Sequence, residues 1–141
     1  MSIAPMHTAE HILNQTMVRM FGCERSRNAH IERKKSKCDY TLPCKPTDEQ
    51  IAAIESKVNE VIGLNLPVTA EFVTRENVPA GVDLGKLPAD ASETLRIVRI
   101  GDYDTCACIG THVANTGEIG TFRIISHSYE NGTLRLRFKL A

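Results

Sequence analysis

Two pairs of metal-ligating side chains stand at opposite ends of this chain of 141 residues. His7 and His11 lie in MHTAEHILNQ, and Cys108 and His112 lie in CIGTHVANTGEIG. Each pair is spaced i, i+4. If both pairs close on one ion, the first helix is stapled to the last third of the chain, and few topologies allow that.

The first helix is predicted from about Pro5 to Phe21, with proline in its first turn and Gly22 as its stop. Ala9, Ile12, Leu13, Thr16, Met17 and Met20 recur at helical spacing as a core stripe. His7, His11, Asn14 and Val18 form a second row, nearly opposite that stripe. Two imidazoles at i and i+4 project together, with Cβ atoms roughly 5–6 Å apart. Thiolate plus imidazole suits zinc, which takes four such ligands tetrahedrally. Four filled positions favour a structural ion, and an open one a catalytic ion; spacing alone does not separate them.

Glu10 gives the helix an H-x-x-E-H pattern, in which a carboxylate serves as general base. It sits roughly 60–70° around the helix from the histidine row, at 100° per residue. Glu10 is therefore a candidate base, or else a surface carboxylate or an outer partner of His7 or His11. Cys106 is read as a small buried residue, with an extra ligand or a redox-sensitive thiol as alternatives. His30 and His127 have no partner at ligand spacing.

Between the two pairs, CDYTL at Cys38 to Leu42 reads as a strand, and Thr47 to Gln50 spell a capping box. The helix that follows buries Ile51, Ile54, Val58, Val61 and Ile62 and ends at Gly63. Pro67 to Val73 reads as a strand, Thr74 to Pro79 as a short helical turn, and Gly81 to Ser92 as a loop. Strands are expected at Thr94 to Ile100 and around YDTCACI, with a Gly101-Asp102 turn between them. Asn131-Gly132 marks a hairpin whose second strand buries Leu134, Leu136, Phe138 and Leu140, opposite Arg135, Arg137 and Lys139. The sum is an α+β fold, two layers in a single domain over 1–141, with a mainly antiparallel sheet packed on two longer helices.

Charge narrows the function classes. Lys and Arg number 17 and so do Asp and Glu, which argues against nucleic-acid binding by net field alone. No apolar run reaches the ~18 residues of a membrane span, and five cysteines without an export signal read as thiols or ligands. The expected compartment is the cytoplasm.

H-x-x-x-H followed by C-x-G-T-H-V-x-x-T-G-E-I-G resembles the editing domain shared by alanyl- and threonyl-tRNA synthetases. It is most similar to the free-standing alanyl-tRNA editing proteins of the AlaX type, in their short form. The resemblance runs from HTAEHILNQ through RIVRIGDYDTCACIGTHVANTGEIGTFRIIS. It implies the two-layer fold of that superfamily, and zinc held by His7, His11, Cys108 and His112. It implies hydrolysis, in trans, of the ester in a mischarged tRNA for alanine, seryl- before glycyl-. The partner implied is the acceptor end of that tRNA, with no DNA or membrane and no reading of oligomeric state. The sequence departs from the family pattern in two places. Ile109 replaces the first of two glycines, and Cys106 stands where synthetase relatives often carry an acid, with Asp102 and Asp104 nearby.

Rejecting alanine requires a site that satisfies the serine hydroxyl and leaves polar groups unpaired without it. Thr8, Asn14, Thr111 and Thr116 are candidates beside the motifs. Arg25, Arg27, Arg33, Lys34, Lys35 and Lys37 face only Glu32 among acids between 25 and 37 and are the candidate RNA contacts. Arg135, Arg137 and Lys139 form a second row. Two other readings stand beside the hydrolase. HTAEH also resembles the H-T-x-E-H of S-ribosylhomocysteine lyases, and a tRNA-binding module with a structural zinc needs no catalysis.

Overall fold

The computed structural model describes residues 3–74 and 94–141; the expected turn and loop at Thr74 to Pro79 and Gly81 to Ser92 lie almost wholly outside them. Helix α1 spans Ala4–Phe21 and α2 spans Asp48–Gly63. The strands are β1 (Asn28–His30), β2 (Ser36–Thr41), β3 (Val68–Thr74), β4 (Thr94–Ile100), β5 (Asp104–Ala107), β6 (Phe122–Glu130) and β7 (Thr133–Leu140). A 3₁₀ turn, Thr116–Ile119, precedes β6. Among the described residues every strand pairing is antiparallel, and the architecture is the α+β class expected. No described helix is long and apolar enough to cross a membrane.

The strands form two sheets, a four-stranded one in the order β1-β2-β7-β6 and a three-stranded one in the order β3-β4-β5. Helix α1 reaches both. From one side Asn14 Oδ1 accepts from the Tyr40 hydroxyl of β2 at 2.6 Å. From the other, Gln15 Nε2 donates to Asp104 of β5 at 2.9 Å. This placement corrects the two-faced reading of α1. His11 and Asn14, placed opposite the core stripe, are 4% and 1% exposed, because Asp104 of β5 lies against His11, while Tyr40 of β2 and the segment at Ser26 lie against Asn14. Met20, placed in the stripe, lies in the last turn and is 39% exposed.

Local chemistry sets the element ends. Gly22 closes α1 at φ +66, a left-handed conformation that costs glycine little, and its N–H returns to Val18 O at 2.9 Å. The Thr47–Gln50 capping box is formed in both directions, and α2 buries the five residues expected of it. Asn131 and Gly132 turn β6 into β7 at φ +50 and +80, positive at both positions, as a two-residue hairpin of this kind demands.

The main core lies between the helices and the inner face of the four-stranded sheet. Leu13 and Met17 of α1, Ile54 and Val58 of α2, and Leu134, Leu136 and Phe138 of β7 are all fully buried there. Thr116 ties the 3₁₀ turn into that core. Its hydroxyl accepts from Leu66 N–H at 2.8 Å and lies 3.2 Å from Ile62 O at the end of α2. The Val68 N–H donates to Ala114 O at 2.8 Å. These bonds anchor the far end of the loop that carries Cys108 and His112.

Candidate metal centre

Strand β5 alternates faces, so Asp104, Cys106 and Cys108 look the same way, toward α1. His7 and His11 look back from α1. His112 comes from the loop after β5. One donor atom from each of His7, His11, Cys108 and His112 lies within 4.8 Å of the others, close enough for one ion to gather them with small adjustments. The rings of His7 and His112 stack at 4.4 Å, and His11 meets them edge-on at 5.1 and 4.5 Å. Glu10 and Cys106 stand outside this group of four.

The outward bonds of the three imidazoles decide what their inner nitrogens are. His7 Nδ1 lies 3.1 Å from Thr111 O, a carbonyl that can only accept, so the proton sits on Nδ1. His112 Nδ1 lies 2.9 Å from the Thr8 hydroxyl, which itself donates to Ala4 O at 3.0 Å. The Thr8 proton is thereby used, and His112 Nδ1 is again the donor. His11 Nδ1 stands 3.5 Å from Asp104 Oδ2, a long contact to a group that accepts only. All three rings turn Nε2 inward, and His112 Nε2 is buried without a hydrogen-bond partner; His11 Nδ1 also makes no hydrogen bond, only the long ionic contact with Asp104. For His7 and His112, inward lone pairs held by outward N–H bonds are the arrangement of metal-ligating histidines.

The thiol completes the donor set. Burial pushes the Cys108 pKa up, but contacts with His11, His112 and His7 outweigh it and hold the group at about 3, a thiolate at neutral pH. Burial likewise opposes a charged His11, yet Asp104 and Cys108 raise its pKa. For His112 burial dominates and lowers it. Three imidazoles and a thiolate fit a borderline-soft ion of tetrahedral preference.

Behind His11 lies a buried relay. Arg25 Nη1 and Nη2 reach the two oxygens of Asp104 at 2.6 and 3.3 Å. The pair joins the segment after α1 to strand β5, and Asp104 is 2% exposed. Burial works against ionisation of Asp104, but His11 and Arg25 keep its pKa below the usual value. Arg96 of β4 braces the ligand loop, its Nη1 donating to Gly110 O at 2.6 Å and lying 3.3 Å from Cys108 O. Sequence reasoning missed both devices. The D-x-C-x-C alternation carried a signal for Asp104; nothing local marked Arg25 or Arg96.

The candidate side chains take other places than expected. Glu10 is 2% exposed, which overturns the surface reading, and its Oε1 lies 3.7 Å from His7 Nε2, on the inward side of the ring. Thr8 is fully buried and serves His112. Asn14 accepts from Tyr40 and from Ser26 N–H, and Thr116 holds the end of α2; both side chains are committed to the core rather than offered to a ligand. Thr111 meets His7 through its carbonyl, and its side chain lies on an exposed residue. Arg25, read as an RNA contact, is buried in the pair with Asp104. Arg27 is exposed 3.6 Å from Glu24; Arg33, Lys34 and Lys35 are exposed, and Lys37 is half-buried on β2.

The fold and the converged donors define an α+β domain with a cluster of three histidines and one cysteine, able to hold a metal ion, between its first helix and its smaller sheet. Residues 95–136 match the family described as "Threonyl and Alanyl tRNA synthetase second additional domain". An alanine-tRNA ligase of Methylacidiphilum infernorum is 38% identical over 125 residues, covering 87% of this chain and 14% of the ligase. One from Coxiella burnetii is 34% identical over 124 residues, 86% of this chain and 14% of the ligase. One from Methanococcus vannielii is 32% identical over 139 residues, 94% of this chain and 15% of the ligase. Residues 95–136 are thus similar to the threonyl- and alanyl-tRNA synthetase second additional domain, and the chain spans only about one seventh of the length of these ligases.

Proposed function

We propose that this chain removes the amino acid from mischarged tRNA for alanine by hydrolysing the aminoacyl ester, seryl-tRNA first and glycyl-tRNA second. A zinc ion held by His7, His11, Cys108 and His112 takes part. The observation that carries the reading is the convergence of three Nε2 lone pairs and a thiolate within 4.8 Å, in a chain aligned with alanine-tRNA ligases. When bound there, zinc supplies Lewis-acid polarisation of a carbonyl or a water. The chain's own residues supply the rest. Thr8, Asp104 and the Thr111 carbonyl fix the three imidazoles. Glu10, beside the inward nitrogen of His7, accepts the proton of the attacking water and returns it to the ribose oxygen as the ester C–O bond breaks.

The test follows the ester. Seryl-, glycyl- and alanyl-tRNA for alanine are incubated with the zinc-loaded protein. Loss of seryl or glycyl ester, with alanyl ester spared, supports the reading; unchanged half-lives for all three overturn it. Glu10→Gln slows hydrolysis while keeping the metal.

A second reading has an observation in its favour. Four protein donors would be enough to complete a tetrahedral shell, as in structural zinc sites. In that case chelation unfolds the chain, and His11→Ala lowers stability and activity together. In the catalytic case His11→Ala abolishes hydrolysis with the melting curve kept.

A further inference from the structure

We propose that the outer face of the four-stranded sheet is a docking surface for the phosphate backbone of RNA, separate from the metal centre. The proposal rests on reading the chain as acting on tRNA and adds where the body of that tRNA is held.

The register assembles this surface. Lys37 of β2 lies directly opposite Arg137 of β7, and Lys139 of β7 lies directly opposite Arg123 of β6. Arg137 and Lys139 are two residues apart on one strand, so the four cations share a face. Lys35, in the turn entering β2, lines a small cleft of about 130 Å³ with Lys37 and Arg137 at the same end; His30 and Glu32 line it too, 3.5 Å from each other, so three cations face one carboxylate there. Like charges directly across a ladder repel and weaken the sheet. Nothing in the core requires them here, since the inner face carries Cys38, Leu136 and Phe138 instead. The two carboxylates placed on this face by register, Asp39 and Glu130, lie toward the opposite end, and Asp39 is taken by Arg135 in a bidentate pair at 2.8 and 2.9 Å.

The charge is therefore segregated on a chain whose formal net charge is zero. A strand-borne cation row with a hydroxyl beside it, that of Ser126 at 3.4 Å from Arg137 Nη1, matches phosphate oxygens, which take both ion pairs and neutral hydrogen bonds. The inner face of this sheet packs on the helices, whereas the metal centre lies between α1 and the other sheet. A partner touching both must pass around the domain, which suits a long polyanion and not a small substrate. The structure thus joins Lys35 and Lys37 from one basic stretch of the sequence to Arg137 and Lys139 from another, and leaves Arg25 out.

The test is binding of uncharged tRNA to the full chain across a salt series. Replacing Lys37 and Arg137 with Gln together should weaken binding about tenfold, and should lower the slope of log K against log salt by about two, near one per lost phosphate contact. Lys45→Gln with Lys57→Gln, exposed cations elsewhere with the same change of net charge, should leave both quantities near wild type. Equal weakening by the two pairs, an unchanged slope in the first, or tighter binding to phosphatidylserine vesicles than to tRNA overturns the proposal. Arg137→Glu alone turns a repelling pair into an attracting one and should fold if the double variant does not; unchanged tRNA affinity in that variant also overturns it. No ester is cleaved in these measurements. Failure to bind through this face therefore leaves the hydrolase reading untouched, and failure to deacylate leaves the face untouched.

Discussion

Arg25 and Asp104 form a buried ion pair at 2.6 Å that joins the segment after α1 to strand β5, with His11 Nδ1 at 3.5 Å on the far oxygen. A buried charge that loses its partner is costly, on the order of 3–5 kcal/mol. Asp104→Ala strands Arg25 and leaves His11 without its outer acceptor. It should lower unfolding free energy by about that amount. Arg25→Met with Asp104→Leu removes both charges and should recover most of the loss. Denaturant unfolding of the three proteins checks this, and a double variant as unstable as the single one contradicts it.

The same pair predicts an acid response. Burial alone raises the Asp104 pKa, but His11 and Arg25 bring it below the ordinary 3.8. A carboxylate with a depressed folded value stabilises fully above its unfolded value and loses that contribution as pH falls through the folded one. Wild-type stability should thus drop below about pH 4, and Asp104→Asn should show a shallower fall over the same range. Unfolding free energies measured between pH 5 and 2 give the comparison; parallel curves would exclude Asp104 as a source of the slope.

Thr8 controls the tautomer of His112. Thr8→Val keeps the shape but removes the acceptor for His112 Nδ1–H, so the inward lone pair is no longer enforced. Losses of such outer partners typically cost 10–100-fold in metal affinity. We expect a fall of that order in zinc affinity, read by competition with a chromophoric chelator. The main core should stay intact, since Val fills the same space. Unaltered affinity would mean that the tautomer is set elsewhere.

Cys108 should be reactive in acid. A thiol held at about 3 is ionised at pH 5, where ordinary thiols are not. Metal-free protein treated with iodoacetamide at pH 5 should be alkylated at Cys108 well ahead of Cys23, Cys38, Cys44 and Cys106, and stoichiometric zinc should protect it. Peptide mapping by mass spectrometry locates the label, and uniform labelling of all five would contradict the depressed pKa.

Much of this was legible in the sequence where one local rule governs. The capping box at Thr47, the Asn131-Gly132 hairpin and the alternation of β7 each follow from a period or a turn residue. The ligand spacing at His7/His11 and Cys108/His112 follows from helix geometry and a two-part motif. What failed depended on contacts between distant elements. The burial of His11 against Asp104 of β5 and of Asn14 against Tyr40 of β2 comes from distant elements that periodicity within α1 cannot reveal. Arg25 looked like one cation among six, and only the fold shows that Asp104, 79 positions later, takes it out of solvent. The three-residue β1 and the irregularity between Ile124 and Ser126 carry no hydrophobic pattern long enough to read.

The two positions of the I-G pair ahead of Thr111 should behave oppositely. A Cβ built on Gly110 would lie 2.1 Å from His7 Cε1 and 2.5 Å from Nδ1, inside any real contact distance. The histidine ring packs directly on the glycine backbone, so Gly110→Ala must displace His7 or the loop that Arg96 braces. Ile109, by contrast, is 84% exposed, and the departure from the double-glycine pattern there costs the centre no space. We therefore expect Gly110→Ala to weaken zinc binding at least tenfold while leaving the main core folded, an estimate based on the losses seen when ligand orientation is disturbed. Ile109→Gly should leave zinc affinity within about twofold, and should lower stability only by roughly the 0.4–1 kcal/mol that added chain freedom costs. Zinc competition titrations and thermal melts on both variants separate the two positions. Equal zinc affinities in Gly110→Ala and wild type would mean that His7 is not held where the centre needs it.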